Sequence, residues 1–392
     1  MKHYISLLVV AIATFTTLNA QEFRGFEFGN ENVHFATSPK NQGSTQCCWD
    51  FAGVSFIESE LYRTKKQIHD LSEMWIARHA YYEKAMRYVR MHGANQYRSG
   101  GMVCDVFSII DKYGIVPEEV YMGKRYTGNA HQHKELVSGL RAYLENVVKN
   151  RNGVLSTAWE RGLNAILDAY LGEIPETFIY RGKEYTPKSF AKEIGIRTDD
   201  YVCISSYECY PENEWICLEV PNNWAWNRSF NVDFNTYKNI LSNVFELGYT
   251  ACVSADFSNA NVKKRPGLVL LHARDNSELR DEDRAKWPSV TSDMKKANMK
   301  FSKPTPQRKV TSEKRTDSFL NYFTSDDHSI HLIGTVEDQH GQVYYKTKDS
   351  SGSAGKSGVG GFGYMSPAYV EYMSTAIFVN KNSLPGALKK KL

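Results

Sequence analysis

The chain has 392 residues with a formal net charge of +4, and 42% of its residues are hydrophobic. This apolar fraction is enough for a sizeable core, and the charge is too small for a disordered chain. The 48 Lys and Arg residues are nearly offset by 44 Asp and Glu residues, so the composition does not indicate a dedicated nucleic-acid-binding protein. The only long apolar run is at the N-terminus, which excludes a multi-span membrane protein.

The first twenty residues have the pattern of a secretory signal peptide. A basic start at Lys2 precedes an apolar stretch from Ile5 to Leu18, and the segment ends on the small residue Ala20. The stretch is shorter than the roughly 20 residues that a membrane span requires, so a membrane anchor is the less favoured alternative. We expect residues 1–20 to be removed and the mature protein, residues 21–392, to be exported to the periplasm or secreted, without a membrane span.

Seven cysteines must be assigned in such an exported chain: Cys47, Cys48, Cys104, Cys203, Cys209, Cys217 and Cys252. An odd number of thiols in an oxidising compartment leaves at least one of them unpaired. Cys203, Cys209 and Cys217 are close enough in sequence to pair, but their spacing is not typical of a zinc site. We therefore predict no metal centre and no cofactor.

Cys48 lies at the predicted start of a helix. A turn-rich segment precedes it, and apolar residues then recur at three- and four-residue steps, at Phe51, Val54, Ile57 and Leu61. Unpaired backbone N–H groups and the helix dipole at a helix N-terminus stabilise a thiolate, which is the attacking form of a cysteine. The alternative is an ordinary buried thiol, and for a cysteine considered alone it is the better interpretation.

The residues around Cys48 resemble the active-site segment of the papain-like cysteine peptidases. Gln42 lies six residues before Cys48, and Trp49 follows it directly. The bleomycin hydrolase and aminopeptidase C branch of that family is similar in Asn41-Gln42, in Cys48-Trp49-Asp50-Phe51 and in Arg78-His79-Ala80-Tyr81. The resemblance covers about residues 37–121 and 218–380.

The resemblance implies an α+β, papain-like fold in which a helical subdomain and a β-rich subdomain enclose a cleft. It implies that the Cys48 thiolate attacks the substrate carbonyl, and that the Gln42 side chain and the Cys48 N–H stabilise the oxyanion. A Gly-Gly segment pairs with the extended substrate in the family, which assigns this role to Gly100 and Gly101; a simple tight turn is the alternative. Trp49 is predicted to border the same substrate site.

A nucleophilic cysteine of this kind requires an imidazole partner and a group that orients it. The family pattern has its catalytic histidine six residues before a glycine, which selects His328 ahead of Gly334. His331 lies three residues further on and faces the opposite side of a predicted strand, which argues against a two-histidine metal site. We expect His331 to be a packed or surface residue.

Asp349 stands where the resemblance places the orienting residue, 21 residues after His328 and behind a predicted strand over 343–347. The family has Asn at this place, and Trp where this chain has Ser351. An aspartate still accepts the imidazole N–H, but without the Trp the hydrogen bond is less shielded from water. Two hypotheses follow, an active peptidase with an altered pH profile and a catalytically impaired papain-like binding protein.

Cys48 and His328 are 280 residues apart, against about 130–150 in the compact papain-like pattern. We assign the extra residues to an insertion over about 122–217, with amphipathic helices over 136–150 and 158–170. Beyond it, a helix over 234–247 precedes a strand over 249–256. The strand ends at Asp256, which either borders the cleft and contacts the substrate or is an exposed loop carboxylate.

Three further segments carry weaker expectations. Residues 263–309 predict a long surface loop with a short helix near 289–297, and nucleic-acid binding through it is the weakest hypothesis. His131 and His133 could ligate a metal, but without a third ligand we predict two surface histidines. Aminopeptidases of the family place their C-terminus in the cleft, where Lys389–Lys391 would oppose a cationic substrate terminus.

The sequence therefore predicts an exported cysteine peptidase of the aminopeptidase or bleomycin hydrolase type, with peptides as its substrates. Nucleic acid is not expected as a partner. Bleomycin hydrolases assemble into rings, so the resemblance leaves a homo-oligomer open.

Overall fold

The computed structural model describes residues 25–124, 126, 130–150, 152–258, 263–265, 267–271, 303–352 and 360–392. The predicted signal peptide lies outside these residues, as do the helix predicted near 289–297 and most of the predicted loop over 263–309. Within the part of the chain that is described, no helix combines the length and the apolar character needed to cross a bilayer.

Most of the longer helices come from the first half of the chain. The helices are α1 (Cys48–Lys65), α2 (Glu73–Arg90), α3 (Val103–Tyr113), α4 (Lys134–Val148), α5 (Ala158–Leu171), α6 (Pro187–Ile194), α7 (Phe234–Glu246), α8 (Ser312–Leu320), α9 (Pro367–Met373) and α10 (Gly386–Lys389). The predicted helices over 136–150, 158–170 and 234–247 agree with α4, α5 and α7 to within two residues at each end.

Eleven strands of the described residues form one sheet. They are β1 (Phe28–Val33), β4 (Tyr201–Ser205), β5 (Glu214–Cys217), β6 (Arg228–Asn231), β7 (Ala251–Ala255), β8 (Lys263–Arg265), β9 (Leu268–Leu270), β10 (His328–Asp338), β11 (Val343–Lys348), β12 (Phe362–Met365) and β13 (Ser374–Asn380). Their order is β5-β6-β4-β13-β7-β10-β11-β12-β9-β8, and β1 pairs with β10 outside this path. A separate hairpin joins β2 (Phe178–Tyr180) and β3 (Lys183–Tyr185).

The first helix is buried on every side. All residues of α1 from Cys48 to Leu61 are buried, whereas the sequence pattern predicts a single apolar stripe. One side of α1 packs against the sheet, where Ser55 Oγ lies 2.8 Å from His331 Nδ1 on β10. The other sides pack against α2 and α3 in the same apolar cluster. A helix enclosed in this way is fixed in position, and so is its first residue.

The predicted insertion over 122–217 is not a separate unit. Helices α4, α5 and α6 share their buried apolar residues with the cluster around α1 and α2. Strands β4 and β5 come from the same segment, and both lie in the main sheet. The expectation of one long loop over 263–309 is wrong in part, because β8 and β9 are paired strands and Leu268 and Leu270 of β9 are fully buried.

Arg315 on α8 connects the helix that precedes the His328 loop to the body of the protein. Its side chain is fully buried; Nε donates to Ser206 O at 2.8 Å and Nη1 to Glu371 O at 2.7 Å. The guanidinium also lies against the rings of Tyr207 and Tyr237, at 4.6 and 4.7 Å.

We expect Arg315→Met to lower the free energy of unfolding by about 3 kcal/mol or more, because two buried carbonyl groups lose charged donors. Urea unfolding of both proteins measures this difference. Lys314→Met, at the exposed neighbouring position, is the matched control and is expected to change stability by less than about 0.5 kcal/mol. Equal losses in the two variants would contradict the assignment.

Candidate active site

Cys48 is the first residue of α1. Cys47 caps the helix with φ −105° and ψ 32°, and its carbonyl accepts from the N–H groups of Asp50 and Phe51. The backbone N–H of Cys48 has no carbonyl one turn earlier to which it could donate, because the helix begins there. Cys48 keeps 9% of its surface exposed. Its N–H therefore has no partner within the helix.

His328 is the first residue of β10, and it meets both Cys48 and Asp349. Its Nε2 lies 2.9 Å from Asp349 Oδ1, and Cys48 is close enough to raise the pKa of His328. The side chains of His328 and Asp349 are 19% and 12% exposed. The structure thus brings together three residues from α1, β10 and the turn after β11.

The surroundings of His328 favour its charged form. Burial by itself lowers the pKa of His328, but the Cys48 thiolate and the hydrogen bonds to Asp349 and Cys48 outweigh burial and hold this pKa well above its ordinary value of 6.5. Asp349 is held in turn, because its Oδ1 also accepts from the N–H of Ser350 at 2.8 Å. Asp349 therefore faces His328 from a fixed position.

Gln42 lies beside the turn that carries Asp349. Its backbone N–H donates to Ser350 O at 2.8 Å, and the following residues fold back through Thr45 to Cys47, whose N–H donates to Thr45 Oγ1. Gln42 is half-buried, as a side chain at the edge of a cleft is. Its predicted part in an oxyanion hole remains a prediction.

Gly100 and Gly101 lie in a segment that Trp49 and Lys84 hold in place. Trp49 Nε1 donates to Ser99 O at 3.1 Å, and Lys84 Nζ donates to Ser99 O and Gly100 O at 3.0 and 2.6 Å. A Cβ on Gly101 would lie 2.8 Å from the Trp49 ring, so glycine is required there. Trp49 is only 1% exposed. Its ring packs against the glycine segment, and its predicted contact with a substrate stays a prediction.

Asp256 is also buried, contrary to the exposed-loop alternative. Only 3% of its surface is accessible, and its Oδ2 accepts from the N–H of Ser325 at 2.8 Å and from Ser325 Oγ at 3.2 Å. The carboxylate of Asp327 accepts from Phe257 and Ser258 in the same way. These bonds fix the loop that leads into His328, and the predicted contact of Asp256 with a substrate stays a prediction.

His131 and His133 are not surface residues, and this prediction is corrected. They are 3% and 2% exposed, and His133 Nδ1 lies 2.9 Å from Tyr81 Oη. Burial lowers the pKa of His133 to about 3, with the charge of His131 adding to the effect. Their segment packs on the turn before Cys48, where Ser44 N donates to His131 O.

His331 is a packed residue, as expected, with no exposed surface. No cluster of three or more candidate metal ligands occurs among the residues that the structure describes. All seven cysteines are free thiols.

The C-terminal tail does not lead into the cleft. Lys391 Nζ donates to Asn213 Oδ1 at 3.0 Å, and Leu388 is buried in the apolar cluster around α7. Asn213 directly precedes β5, which is five strands away from β10 in the sheet. At about 4.8 Å per strand this is roughly 24 Å. The position of Lys391 therefore gives no support to a terminal carboxylate that binds a substrate ammonium, and the aminopeptidase subtype stays a prediction.

Several residues that build the site carry no recognisable signal in the sequence. Lys84, Asp105, Asn222 and Asn227 are ordinary polar residues until the fold brings them together around Gly100 and Gly101. All four lie within the stretches of the family resemblance, about 37–121 and 218–380, which is the one signal that could have drawn attention to them.

No protein-family model matches the sequence, and no curated protein matches it significantly. Solved structures do share its fold. PepW from Lactobacillus rhamnosis HN001 is 20% identical over 92% of this chain and 83% of that chain, with a TM-score of 0.67. The bromelain protease from Ananas comosus in complex with the E64 inhibitor is 13% identical, covers 88% and 92% of the two chains, and has a TM-score of 0.36. Digestive procathepsin L2 proteinase from Tenebrio molitor is 14% identical, covers 88% and 64%, and has a TM-score of 0.39.

Of these three superpositions, the one on PepW is close enough to define the fold. The predicted papain-like α+β fold is confirmed, and so is the resemblance to papain-like cysteine peptidases at the level of the fold. At this identity the likeness does not extend to activity or to residue roles.

Proposed function

We propose that the protein is a cysteine peptidase that hydrolyses peptide bonds with Cys48 as its nucleophile. The observation that carries this proposal is the contact of His328 with Asp349, together with the charge interaction between His328 and Cys48 at the start of a fully enclosed helix. A thiolate at a helix N-terminus, an imidazolium beside it and a carboxylate behind the imidazolium are the groups that acyl transfer to sulfur requires.

The chemistry follows from the positions of these groups. The Cys48 thiolate attacks the peptide carbonyl, and the oxyanion that forms accepts the Cys48 N–H and the Gln42 amide. His328 gives its proton to the leaving amine, which breaks the C–N bond and leaves an acyl-thioester. His328 then takes a proton from water, whose oxygen attacks the thioester and releases the acid and the thiolate. Asp349 keeps the imidazole in its orientation through both steps.

The sequence analysis also concerns export and an aminopeptidase type of substrate binding, and these two points have different support. Export depends on residues 1–20 alone and stays a prediction. An aminopeptidase that anchors its substrate by the C-terminal carboxylate has no support from the tail, because Lys391 is held at Asn213. We therefore propose the peptide-bond hydrolysis without that anchor.

The alternative, a papain-like protein that binds peptides without cleaving them, was suggested by Asp349 and Ser351 in place of Asn and Trp. The contact of 2.9 Å between Asp349 Oδ1 and His328 Nε2 favours the active enzyme over this alternative. An aspartate in this position strengthens the imidazolium, since it adds a charge to the hydrogen bond.

A thiol-directed peptidyl inhibitor and a peptide library test the proposal together under reducing conditions. We expect the inhibitor to modify Cys48, as read by mass spectrometry of the digested protein, and to block cleavage of the library. Modification of the exposed thiols Cys209 and Cys217 without Cys48 would contradict the proposal. So would a protein that binds the peptides and leaves all of them intact.

A further inference from the structure

Asn222 connects the glycine segment to the loop that leads into His328. Its Nδ2 donates to the main-chain carbonyl of Asp326 at 2.6 Å, two residues before His328. Its Oδ1 lies against Gly100, so closely that a Cβ on this glycine would lie 2.1 Å from it. Gly101, the next residue, packs on the ring of Trp49, the neighbour of Cys48. One half-buried side chain therefore bridges the segment beside Trp49 and the loop before His328.

The loop that carries Asn222 is fixed to the same wall as the glycines. Asp105 is fully buried, and its carboxylate accepts from Trp224 Nε1 at 2.7 Å and from Asn227 Nδ2 at 2.5 Å. The same carboxylate accepts from the N–H of Met102, the residue after Gly101, at 2.8 Å. Asp105 thus holds both the glycine segment and the loop over 222–227.

A second asparagine, Asn223, restrains the conformation of the loop over 222–227 from within. Asn223 is 5% exposed, and its Nδ2 donates to Leu218 O and to Asn227 O, both at 3.0 Å. Its Oδ1 accepts the N–H of Asn227 at 2.8 Å. A loop with this many internal and external bonds does not move aside without breaking several of them, so Asn222 is a built part of the groove.

Gly101 packs on Trp49, the residue that follows Cys48, whereas Gly100 packs on Asn222. A substrate strand that pairs with this segment and continues beyond Gly100 meets the amide of Asn222. We propose that Asn222 closes the groove at Gly100 and so limits how many substrate residues can be bound on the N-terminal side of the scissile bond. This specificity role rests on the proposed peptidase function.

A series of N-terminally blocked peptides tests this closure. The peptides share one scissile bond and have from one to six residues before it. For the unaltered protein we expect kcat/KM to fall by about tenfold or more once the bound peptide is long enough to extend beyond Gly100. A tenfold fall corresponds to about 1.4 kcal/mol. Asn222→Ala removes the amide from the groove and is expected to restore cleavage of the longer peptides to within about threefold of the short ones.

Trp226→Ala is the matched control, because Trp226 is on the same loop and is 58% exposed. We expect this variant to keep the length dependence of the unaltered protein, and thermal unfolding of all three proteins to verify the fold. Cleavage of every length at the same rate by the unaltered protein overturns the closure and leaves the peptidase intact. A length limit that Asn222→Ala does not relieve also overturns it. Cleavage of no peptide at all overturns the proposed function, and the closure with it.

Discussion

Replacing Cys48 by alanine is expected to abolish peptide hydrolysis, with a fall in kcat of about 10⁵–10⁶-fold. The covalent route depends on one sulfur atom, and neither His328 nor Asp349 can form the acyl intermediate in its place. The residual rate of the variant would come from binding and oxyanion stabilisation alone. The measurement is turnover of the best library peptide by the two purified proteins under reducing conditions.

The neighbouring thiol supplies the control for this result. Cys47 is completely buried, and its Sγ lies 3.5 Å from Tyr81 Oη, on the inner side of the helix start. Cys47→Ala is expected to keep turnover within a few-fold of the unaltered protein and to lose about 1 kcal/mol of stability from the small cavity. Retention of turnover by Cys48→Ala, or loss of turnover in Cys47→Ala alone, would contradict the assignment of Cys48 as the nucleophile.

The parts of the site that the sequence predicts are those that lie close together along the chain. Gln42, Cys48 and Trp49 are within eight positions of one another, so a turn followed by an apolar helical pattern is enough to predict a cysteine at a helix start. His328 is remote, and only the family spacing before Gly334 selects it from the eleven histidines of the chain. The local sequence pattern is thus enough to predict Cys48 at a helix start, whereas the prediction of His328 depends on the family resemblance.

The remaining parts depend on contacts between distant residues. His131 and His133 are polar residues in a segment without apolar periodicity, and residue type alone predicts exposure. Their burial follows from Tyr81, which is 52 positions from His133 and accepts or donates a hydrogen bond there. The contact of Asn222 with Asp326 joins residues 104 positions apart. A pattern read over a window of a few turns contains neither contact.

The structure also changes what the substitutions at Asp349 and Ser351 signify. From sequence, an aspartate in place of the family asparagine raised the possibility of a protein that had lost its activity. In the fold, Asp349 is tied on both sides: its N–H donates to Gly361 O at 3.0 Å, and its Oδ1 accepts from Ser350 and faces His328. A carboxylate that is fixed in this way orients the imidazole without help from a covering side chain.

Replacing Asp349 by alanine is expected to reduce kcat by about 10²–10⁴-fold, because His328 loses the group that fixes its orientation and its charge. The pH profile gives the more specific result. Activity requires the imidazolium, and the pKa of His328 is held well above 6.5, so the alkaline limb of the profile lies above pH 6.5 and activity is lost as the pH rises through the raised value. Removing the charge and the hydrogen bond of Asp349 lowers the pKa of His328 and moves this limb to lower pH.

Asp349→Asn separates orientation from charge at the same position. The amide oxygen still accepts the His328 N–H, so most of kcat is expected to remain, but the lost negative charge lowers the pKa of His328 and shifts the alkaline limb to lower pH. The profiles of kcat for the three proteins, measured where thermal unfolding finds each of them folded, provide the comparison. An alanine variant with the kcat and the alkaline limb of the unaltered protein would show that Asp349 does not act through His328. A reduced kcat with an unmoved alkaline limb would show that Asp349 only orients the His328 ring. If Asp349 also stabilised the charge of the imidazolium, its removal would shift the limb.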